Sequence, residues 1–324
     1  MALTQVNRGT TPNDNSADTL YVAFGKVNSN ATSLDTTITT SSDSIFNGVK
    51  VGRGVGNVPT NLVVGIQALN SNTTGDNNTS IGTNTLRDNS DGFSNTVIGA
   101  YAMERNTTGD GNTAVGGGAL YSAVLINNNT AIGRDALNGN TLYSNCSGLG
   151  ANTVVTASNQ VQLGDSATTT YVYGTVQNRS DLRDKTEVRN TVLGLDFINE
   201  LRPVDYKWDM REDYKTEKPN ELALDATDEE KEAYKILMDA WLESVKLDNI
   251  THDGTHTRNR YHHGLIAQEV QDVIEASGVD FGGFQDHSVS GGQDVLSIGY
   301  NELIAPMIKA IQELTARINV LENN

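Results

Sequence analysis

The sequence predicts a mainly β repeat fibre, a trimeric β-roll or triple β-helix, followed by an α+β domain that ends in a coiled-coil helix. Three observations lead to this fold class. A glycine recurs every 17 residues, the composition changes near Ser180, and apolar residues follow a heptad pattern at the C-terminal end. A fixed period near 20 residues is typical of stacked arrays in which each unit contacts its neighbours.

Composition and charge divide the chain near residue 180. Residues 1–179 hold 8 basic and 11 acidic side chains, whereas residues 180–324 hold 15 basic and 29 acidic ones. The low content of hydrophobic (37%) and aromatic (6%) residues suits a β-rich fibre better than one large globular core. The acidic balance offers no basic surface that could follow a phosphate backbone, so nucleic acid is not expected as a partner.

Other classes are disfavoured by specific absences in the sequence. The single cysteine, Cys146, excludes an intrachain disulfide framework. The first ten residues lack the apolar segment of a signal peptide, and no run of about 18 apolar residues occurs. A membrane partner is therefore not expected. We divide the chain into an N-terminal segment (1–56), a repeat shaft with its tip (57–179) and a C-terminal domain (180–324).

The repeat predicts how one unit folds. The residue before each glycine, usually Ile or Val, is expected to point inward from a short strand, followed by an inward Ala-Leu pair. Asparagine precedes five of the glycines by four residues, and Asn-Thr-Gly-Asp segments supply turns. The recurring glycines are Gly65, Gly82, Gly99, Gly116, Gly133 and Gly150.

Each unit has too few apolar residues to form a core alone. It can bury them by stacking on its neighbours or by sharing an axis with other chains, and a closed homotrimer also removes exposed sheet edges. Residues 57–165 resemble the head repeats of trimeric autotransporter adhesins and the shafts of phage tail fibres. The resemblance leaves two geometries open, a left-handed β-roll and an intertwined triple β-helix.

The N-terminal segment differs from the repeats. Apolar residues at 20, 23, 24 and 27 have helical spacing, and Asp18 is a suitable N-cap. The opening of the chain resembles that of cyanophage-type virion structural proteins. This resemblance implies that residues 1–56 attach the protein to a tail or capsid protein of a virion, or cap the trimer.

A serine and a lysine lie five residues apart at the composition boundary. Serine becomes a nucleophile when a neighbouring base takes its proton, and a lysine amine can be that base if burial lowers its pKa. Ser180 and Lys185 are therefore a candidate self-cleaving dyad. The pair is weak evidence alone, because most lysines lie on solvated surface.

The motifs after residue 180 strengthen this interpretation. They resemble, in order, the intramolecular chaperone auto-processing domain of phage tail spikes and fibres, the endosialidase-type peptidase S74 family. The matching segments are Ser180-Asp181-Leu182-Arg183-Asp184-Lys185, a short helix near 192–201, Arg202-Pro203-Val204-Asp205-Tyr206-Lys207-Trp208, residues 263–270, residues 297–303 and a last helix containing residues 308–314.

The resemblance implies a function and a set of site residues. The protein would be a homotrimeric phage tail fibre, made in the host cytoplasm and assembled into the virion, that attaches to a host surface receptor such as a glycan. Its C-terminal domain would guide trimer folding and leave by one cut between Arg179 and Ser180. Ser180 and Lys185 would be catalytic, Asp181 and Arg183 would orient the turn, and no cofactor is implied. The alternative is a structural head or tail fibre, or an adhesin-like protein, that keeps its C-terminal domain.

Three further features of the C-terminal domain yield expectations. Residues 212–260 form a charged insertion with a capping box at Thr227–Glu230 and an amphipathic helix to about residue 246, whose apolar residues are Ile236, Leu237, Ala240, Trp241 and Val245. The final helix has a 3-4 apolar pattern over three heptads, which is typical of a coiled coil.

Four histidines at 252, 256, 262 and 263 lack the ligand spacing of a zinc site, and no metal is expected.

Overall fold

The computed structural model describes residues 43–217, 219–220 and 226–323. Residues 43–163 contain a parallel β-solenoid of about six turns, as the 17-residue repeat predicts. Contacts divide the chain into two compact units, one ending at Thr141 and the other beginning at Leu142. The domain boundaries proposed from the sequence, after residues 56 and 179, stay predictions. The helix expected at residues 18–27 lies outside the described residues.

From residue 43 onward, where the structure describes it, the first unit contains seven strands. They are β1 (Ser44–Phe46), β2 (Val49–Gly52), β3 (Leu62–Val64), β4 (Thr79–Ile81), β5 (Thr96–Ile98), β6 (Thr113–Val115) and β7 (Thr130–Ile132). Strands β1, β2 and β3 pair antiparallel, and β3 to β7 pair parallel, each residue opposite the one 17 positions later. The parallel ladder forms within one chain, as in a β-roll; an intertwined helix would pair strands from different chains.

The expected direction of the residue before each glycine is wrong. The middle residue of each strand points inward: Val63, Val97 and Ala114 are fully buried. The residues before the glycines point outward and stay half-buried or exposed. They form what we term the outer ridge, Val64, Ile81, Ile98, Val115 and Ile132.

The alanine and leucine positions after the glycine are buried, as predicted. Leu69, Leu86, Met103, Leu120 and Leu137 stack along the axis with at most 1% of their surface exposed. Burying a leucine side chain contributes about 1.5–3 kcal/mol, so this column is the main apolar core of the first unit. All five have positive φ, between 45° and 50°, because the chain turns a tight corner there.

The second unit begins with the end of the repeat. It contains β8 (Ser147–Leu149) and β9 (Val161–Leu163), which pair parallel with an offset of only 14 residues. The sixth repeat also differs in its core, because Val155 is buried whereas Val154, at the expected position, is only half-buried. The last turn is therefore shorter than the others.

The remaining elements form an α+β arrangement. They are α1 (Leu195–Glu200), β10 (Val204–Lys207), α2 (Asp228–Ser244), β11 (Tyr261–Gly264), α3 (Ala267–Ser277), β12 (Phe284–Asp286), β13 (Leu296–Ile298) and α4 (Ile304–Glu322). Strands β10 and β11 form one antiparallel pair, and β12 and β13 form another. Phe197, Val270, Phe281 and Leu303 build the core, with the two phenylalanine rings 5.4 Å apart. None of the described helices is long and apolar enough to cross a membrane.

Helix α2 begins as predicted but buries only part of the predicted apolar face. Thr227 and Glu230 form the expected capping box. Ile236, Leu237 and Ala240 are exposed, contrary to the prediction. Val245, which follows the last helical residue, is buried as predicted, and so is Met238, which the prediction did not include. The indole Nε1 of Trp241 donates a hydrogen bond to the carbonyl oxygen of Thr216 at 3.1 Å, which ties the helix to the segment before it.

Helix α4 matches the predicted last helix and leaves its heptad positions exposed. The exposed fractions are 51% for Ile304, 43% for Met307, 63% for Ile311, 44% for Leu314, 51% for Ile318 and 76% for Leu321. Among the described residues of a single chain, no element packs over this stripe closely enough to bury it. The coiled-coil interpretation therefore stays a prediction.

Candidate functional site: the Ser180–Lys185 turn

The candidate dyad lies on a short turn that follows an exposed segment. Residues 169–180 are exposed and, throughout this described stretch, adopt neither helix nor strand. A 3-10 helix follows at Leu182–Asp184. The backbone N–H of Lys185 donates to the carbonyl oxygen of Leu182 at 3.1 Å and closes the turn. The predicted scissile bond is thus reachable from solvent.

The turn brings the two predicted catalytic side chains together. Lys185 Nζ lies 2.7 Å from Ser180 Oγ. This separation is within the 2.6–3.2 Å that proton transfer between a nucleophile and its base requires. With a protonated amine, lysine is the donor in this contact. General-base catalysis needs the reverse, a neutral amine that accepts the serine proton.

Asp181 holds the turn in shape. Its carboxylate accepts a hydrogen bond from the backbone N–H of Arg183 at 2.9 Å, as an N-cap does. The same carboxylate binds the Arg183 guanidinium, with Nη2 at 2.6 Å from Oδ2. The hydrogen bonds from Arg183 lower the pKa of Asp181, so this carboxylate stays ionised well below neutral pH. These contacts fit the orienting role that the resemblance gives to Asp181 and Arg183.

A second ion pair spans the predicted scissile bond. Arg179 Nε lies 2.7 Å from Asp184 Oδ2, and Arg179 Nη2 lies 2.9 Å from Asp184 Oδ1. Arg179 precedes the bond, and Asp184 belongs to the turn after it. The pair therefore holds the residue that would carry the new carboxyl group against the turn that carries the nucleophile.

Ser180 and Lys185 are both exposed in the single chain. A lysine amine that acts as a base at neutral pH generally needs burial or a nearby positive charge to favour its neutral form. The turn supplies the distance between the two groups, and further cover would be needed to remove water from the amine.

The histidines join separate interactions. His252 Nδ1 lies 2.9 Å from Asp209 Oδ2, His256 packs edge-on against Tyr214, and His263 Nδ1 lies 2.6 Å from Asp205 Oδ1. His262 stacks on Tyr206 across the β10–β11 pair. Within the described ranges, no group of three or more His, Cys, Asp or Glu side chains is arranged to hold a metal ion.

Sequence reasoning did not anticipate one histidine. His287 lies in the loop between β12 and β13 and contacts the last solenoid turn. The only sequence signal was its place in a glycine- and serine-rich loop, which does not reveal a partner more than a hundred residues away.

Comparisons of this chain with protein-family profiles, with curated protein sequences and with solved structures find no match.

Proposed function

We propose that the chain is a homotrimeric phage tail fibre whose C-terminal domain guides trimer folding and is then cut off by a Ser-Lys dyad. The observation that carries the proposal is the 2.7 Å contact between Lys185 Nζ and Ser180 Oγ, next to an exposed segment that follows a β-solenoid. The cut would occur once per chain. The protein would thus be a single-turnover serine endopeptidase acting on itself.

The proposed chemistry uses only groups on the turn. Neutral Lys185 accepts the Ser180 hydroxyl proton while Oγ attacks the carbonyl carbon of Arg179. The bond between that carbon and the Ser180 nitrogen breaks, the nitrogen takes up the proton as the new amino terminus, and an ester links Arg179 to Oγ. Water then hydrolyses the ester, restoring the serine hydroxyl and leaving a carboxylate on Arg179. A variant in which the hydroxyl activates water directly would give the same products.

Trimer formation would bury the Lys185 amine and so remove water from it. Lys185 is exposed in one chain, and we assign its cover to neighbouring copies. Such an arrangement would make cleavage depend on assembly, because the Lys185 amine of a chain that has not trimerised would stay exposed to water. Premature loss of the folding domain would then be avoided.

The outer ridge supports a trimer. Its five side chains stand in register on adjacent parallel strands, about 4.8 Å apart. Exposed fractions of 39% for Ile98 and 41% for Ile132 leave a continuous apolar strip in the single chain. The exposed heptad stripe of α4 is a second such strip. Contiguous exposed apolar surface generally marks an interaction site.

A folding domain would address a kinetic problem. Parallel strand pairing and assembly of three chains depend on contacts between distant residues, which form slowly and expose aggregation-prone edges meanwhile. Early trimerisation through α4 would align the three chains. Removing the domain afterwards would leave the fibre kinetically trapped in its folded state.

The remaining parts of the proposal rest on the sequence resemblance. Residues 1–56 would join a tail or capsid protein, and the shaft or its tip would bind a host surface receptor, such as a glycan. The fibre would be made in the host cytoplasm and act on the virion.

Intact mass and denaturing electrophoresis of freshly made protein test the cut. Wild type should give two fragments, one ending at Arg179 and one starting at Ser180, whereas Ser180→Ala and Lys185→Ala should each leave a folded, full-length chain. His263→Ala, which removes an exposed histidine outside the turn, is the control and should cut normally. Cleavage of Ser180→Ala at the same bond as readily as wild type would disprove the dyad.

A second candidate function is favoured by the exposure of Lys185. If no neighbouring copy covers the amine, the chain would be a structural fibre or adhesin-like protein that keeps its C-terminal trimerisation domain. Full-length wild-type chains that persist in a stable trimer would support this alternative.

A further inference from the structure

The C-terminal residues contact the end of the solenoid through a defined surface. We term residues 287–294 the docking loop and residues 152–166, which surround β9, the last turn. Both belong to the compact unit that begins at Leu142. The docking loop lies on the C-terminal side of the proposed cut, and the last turn lies on its N-terminal side.

His287 is the centre of the first contact. Its Nδ1 lies 2.7 Å from Thr156 Oγ1 and 3.3 Å from Gln160 Nε2, and its Nε2 lies 3.1 Å from Ser297 Oγ. The side-chain oxygen of Gln160 accepts hydrogen bonds from the backbone N–H groups of Thr156 and Ala157, at 2.8 Å and 3.2 Å. These bonds turn the amide nitrogen of Gln160 toward the imidazole, so Nδ1 acts as an acceptor.

The backbone of the docking loop packs against the last turn at Thr156, the residue that His287 also contacts. The N–H of Gln293 donates to the carbonyl oxygen of Thr156 at 2.7 Å. Gly292 allows this approach, since a Cβ there would come within 2.5 Å of that oxygen and 2.9 Å of Ala157 Cβ. Ala157 itself is only 7% exposed. The fit is therefore close and uses a residue without a side chain.

A separate polar cluster joins Ser166 to the insertion. Ser166 Oγ donates to Asp213 Oδ1 at 2.8 Å, and Arg258 Nη2 lies 3.1 Å from Asp213 Oδ2. The Arg258 guanidinium also donates to the carbonyl oxygen of Ser166. The charged insertion thus has a contact role that the sequence did not reveal.

We infer that this interface holds the C-terminal fragment on the shaft after the chain is cut, so that cleavage and release are separate steps. The cut breaks one bond in the exposed segment that joins the two sides. The contacts of His287, Gln293, Asp213 and Arg258 involve no residue of that segment and survive the cut. This inference rests on the proposed function, which supplies the cut. The C-terminal fragment would stay bound to the last turn of the same fibre.

An added protease site separates this inference from self-cleavage. In a Ser180→Ala full-length chain, a recognition sequence for a site-specific protease is inserted between residues 170 and 178 and cut under native conditions. The two fragments should co-elute in size-exclusion chromatography at neutral pH. Because the chain is cut by an added enzyme, failure of the Ser-Lys chemistry cannot affect this result.

Interface variants decide whether the named contacts are responsible. His287→Ala combined with Arg258→Ala should raise the dissociation constant of the two fragments by about tenfold or more, since several hydrogen bonds, one of them charged, are lost. His263→Ala with Arg202→Ala is the matched control, because both residues make exposed ion pairs elsewhere in the domain. Circular dichroism of the uncut variants should match that of the parent chain.

Two outcomes would overturn the inference. Fragments that separate at once after cutting the parent chain would show that the interface does not hold them. Equal retention by the interface variant and the control would show that other contacts do. If the double variant does not fold, Arg258→Ala alone, which removes the hydrogen bond from the guanidinium to the carbonyl oxygen of Ser166 and leaves the docking loop unchanged, provides the same comparison.

Discussion

The side chain of Asn95 is fully buried, and its Nδ2 lies 3.1 Å from Oδ1 of Asn78, one solenoid turn before it. Asn95 Nδ2 also donates to the carbonyl oxygen of Gly109 at 2.9 Å, and its Oδ1 accepts from the backbone N–H of Asn112 at 3.0 Å. The asparagine that the repeat places before each of the strands β3 to β7 is therefore more than a turn residue. It satisfies backbone groups in a corner where strand pairing cannot.

Replacing Asn95 with alanine should destabilise the solenoid strongly. The substitution leaves the buried backbone N–H of Asn112 without its acceptor, and leaves the carbonyl oxygen of Gly109 with only the bond from Asn106. A buried polar group without a partner costs about 1–3 kcal/mol. We expect the free energy of unfolding, measured by chemical denaturation, to fall by about 2 kcal/mol or more. Thr108→Ala, at an exposed turn position of the same repeat, should change it by less than about 0.5 kcal/mol. Equal effects of the two variants would contradict the role of the ladder.

The recurring glycine has a steric basis that a second prediction tests. Gly99 has a φ of 133°, and a Cβ there would lie 2.5 Å from the carbonyl oxygen of Gly116 on the next turn. Gly99→Ala should therefore prevent normal stacking or lower the melting temperature sharply. Gly139→Ala is the control, because a Cβ there meets no atom within 4 Å. A Gly99→Ala protein as stable as the Gly139→Ala protein would refute this explanation.

The sequence predicts the solenoid well because each repeat carries the same steric demands. A glycine, an Ala-Leu pair and an asparagine at fixed positions define one turn, and repetition makes the signal unambiguous. The repeat does not predict which side chains of each strand point into the solenoid. Alternation alone does not say which face is inside, and the small or polar middle residues, such as Ser80 and Ala114, suggested the wrong one.

The contacts between distant segments could not be predicted. The 14-residue last turn and the His287–Thr156 contact depend on tertiary packing rather than on local propensity. The Ser180–Lys185 turn could be predicted in part. Asp181 is a recognisable N-cap, and the short helix that it starts brings the side chains of Ser180 and Lys185 close together. The motif alone did not show the 2.7 Å contact or the exposure of both side chains.

The outer ridge gives a prediction about assembly. Ile98→Glu places a charge in the centre of the apolar strip, and burying it in a trimer would be costly. Multi-angle light scattering should show a trimer for wild type, three times 34.8 kDa if the chain is uncut, and mainly monomer for the variant. Phe93→Glu is a matched control, because Phe93 is 48% exposed in the turn before β5 and is not one of the five ridge residues. A trimeric Ile98→Glu protein would exclude the ridge as the interface.

Acid should weaken the unit that contains the docking loop. Partial burial lowers the pKa of His287, and the nearby carboxylate of Asp286 opposes this shift only in part. The other close groups, on Thr156, Gln160 and Ser297, are uncharged. The folded state therefore binds a proton at His287 less readily than the unfolded chain, so stability falls as the pH drops below about 6.5 toward the lowered pKa.

His287→Gln isolates this effect. The glutamine cannot titrate, so thermal unfolding of the variant should lose the part of its pH dependence that arises between pH 6.5 and the folded-state pKa of His287. The carboxylates, which titrate lower, should behave alike in both proteins. Identical unfolding curves of wild type and variant across this range would show that His287 does not respond to acid in the folded unit.

The last prediction concerns the shape of the cleavage turn. Asp181→Ala removes the carboxylate that caps the 3-10 helix and binds Arg183, while leaving Ser180 and Lys185 in place. A looser turn would hold Lys185 Nζ near Ser180 Oγ for a smaller fraction of the time, and misplacement by about 1 Å can cost a hundredfold in rate. We expect assembled trimers of this variant to cut at the same bond but about tenfold or more slowly.

Asp181→Asn separates positioning from charge. The asparagine oxygen can still accept the backbone N–H of Arg183 and cap the turn, so this variant should recover most of the cleavage rate that Asp181→Ala loses. Electrophoresis of samples taken at intervals after trimer assembly measures both rates. If both variants cut as fast as wild type, the capped turn does not position the dyad, and the Ser180–Lys185 contact must be held by the surrounding copies instead.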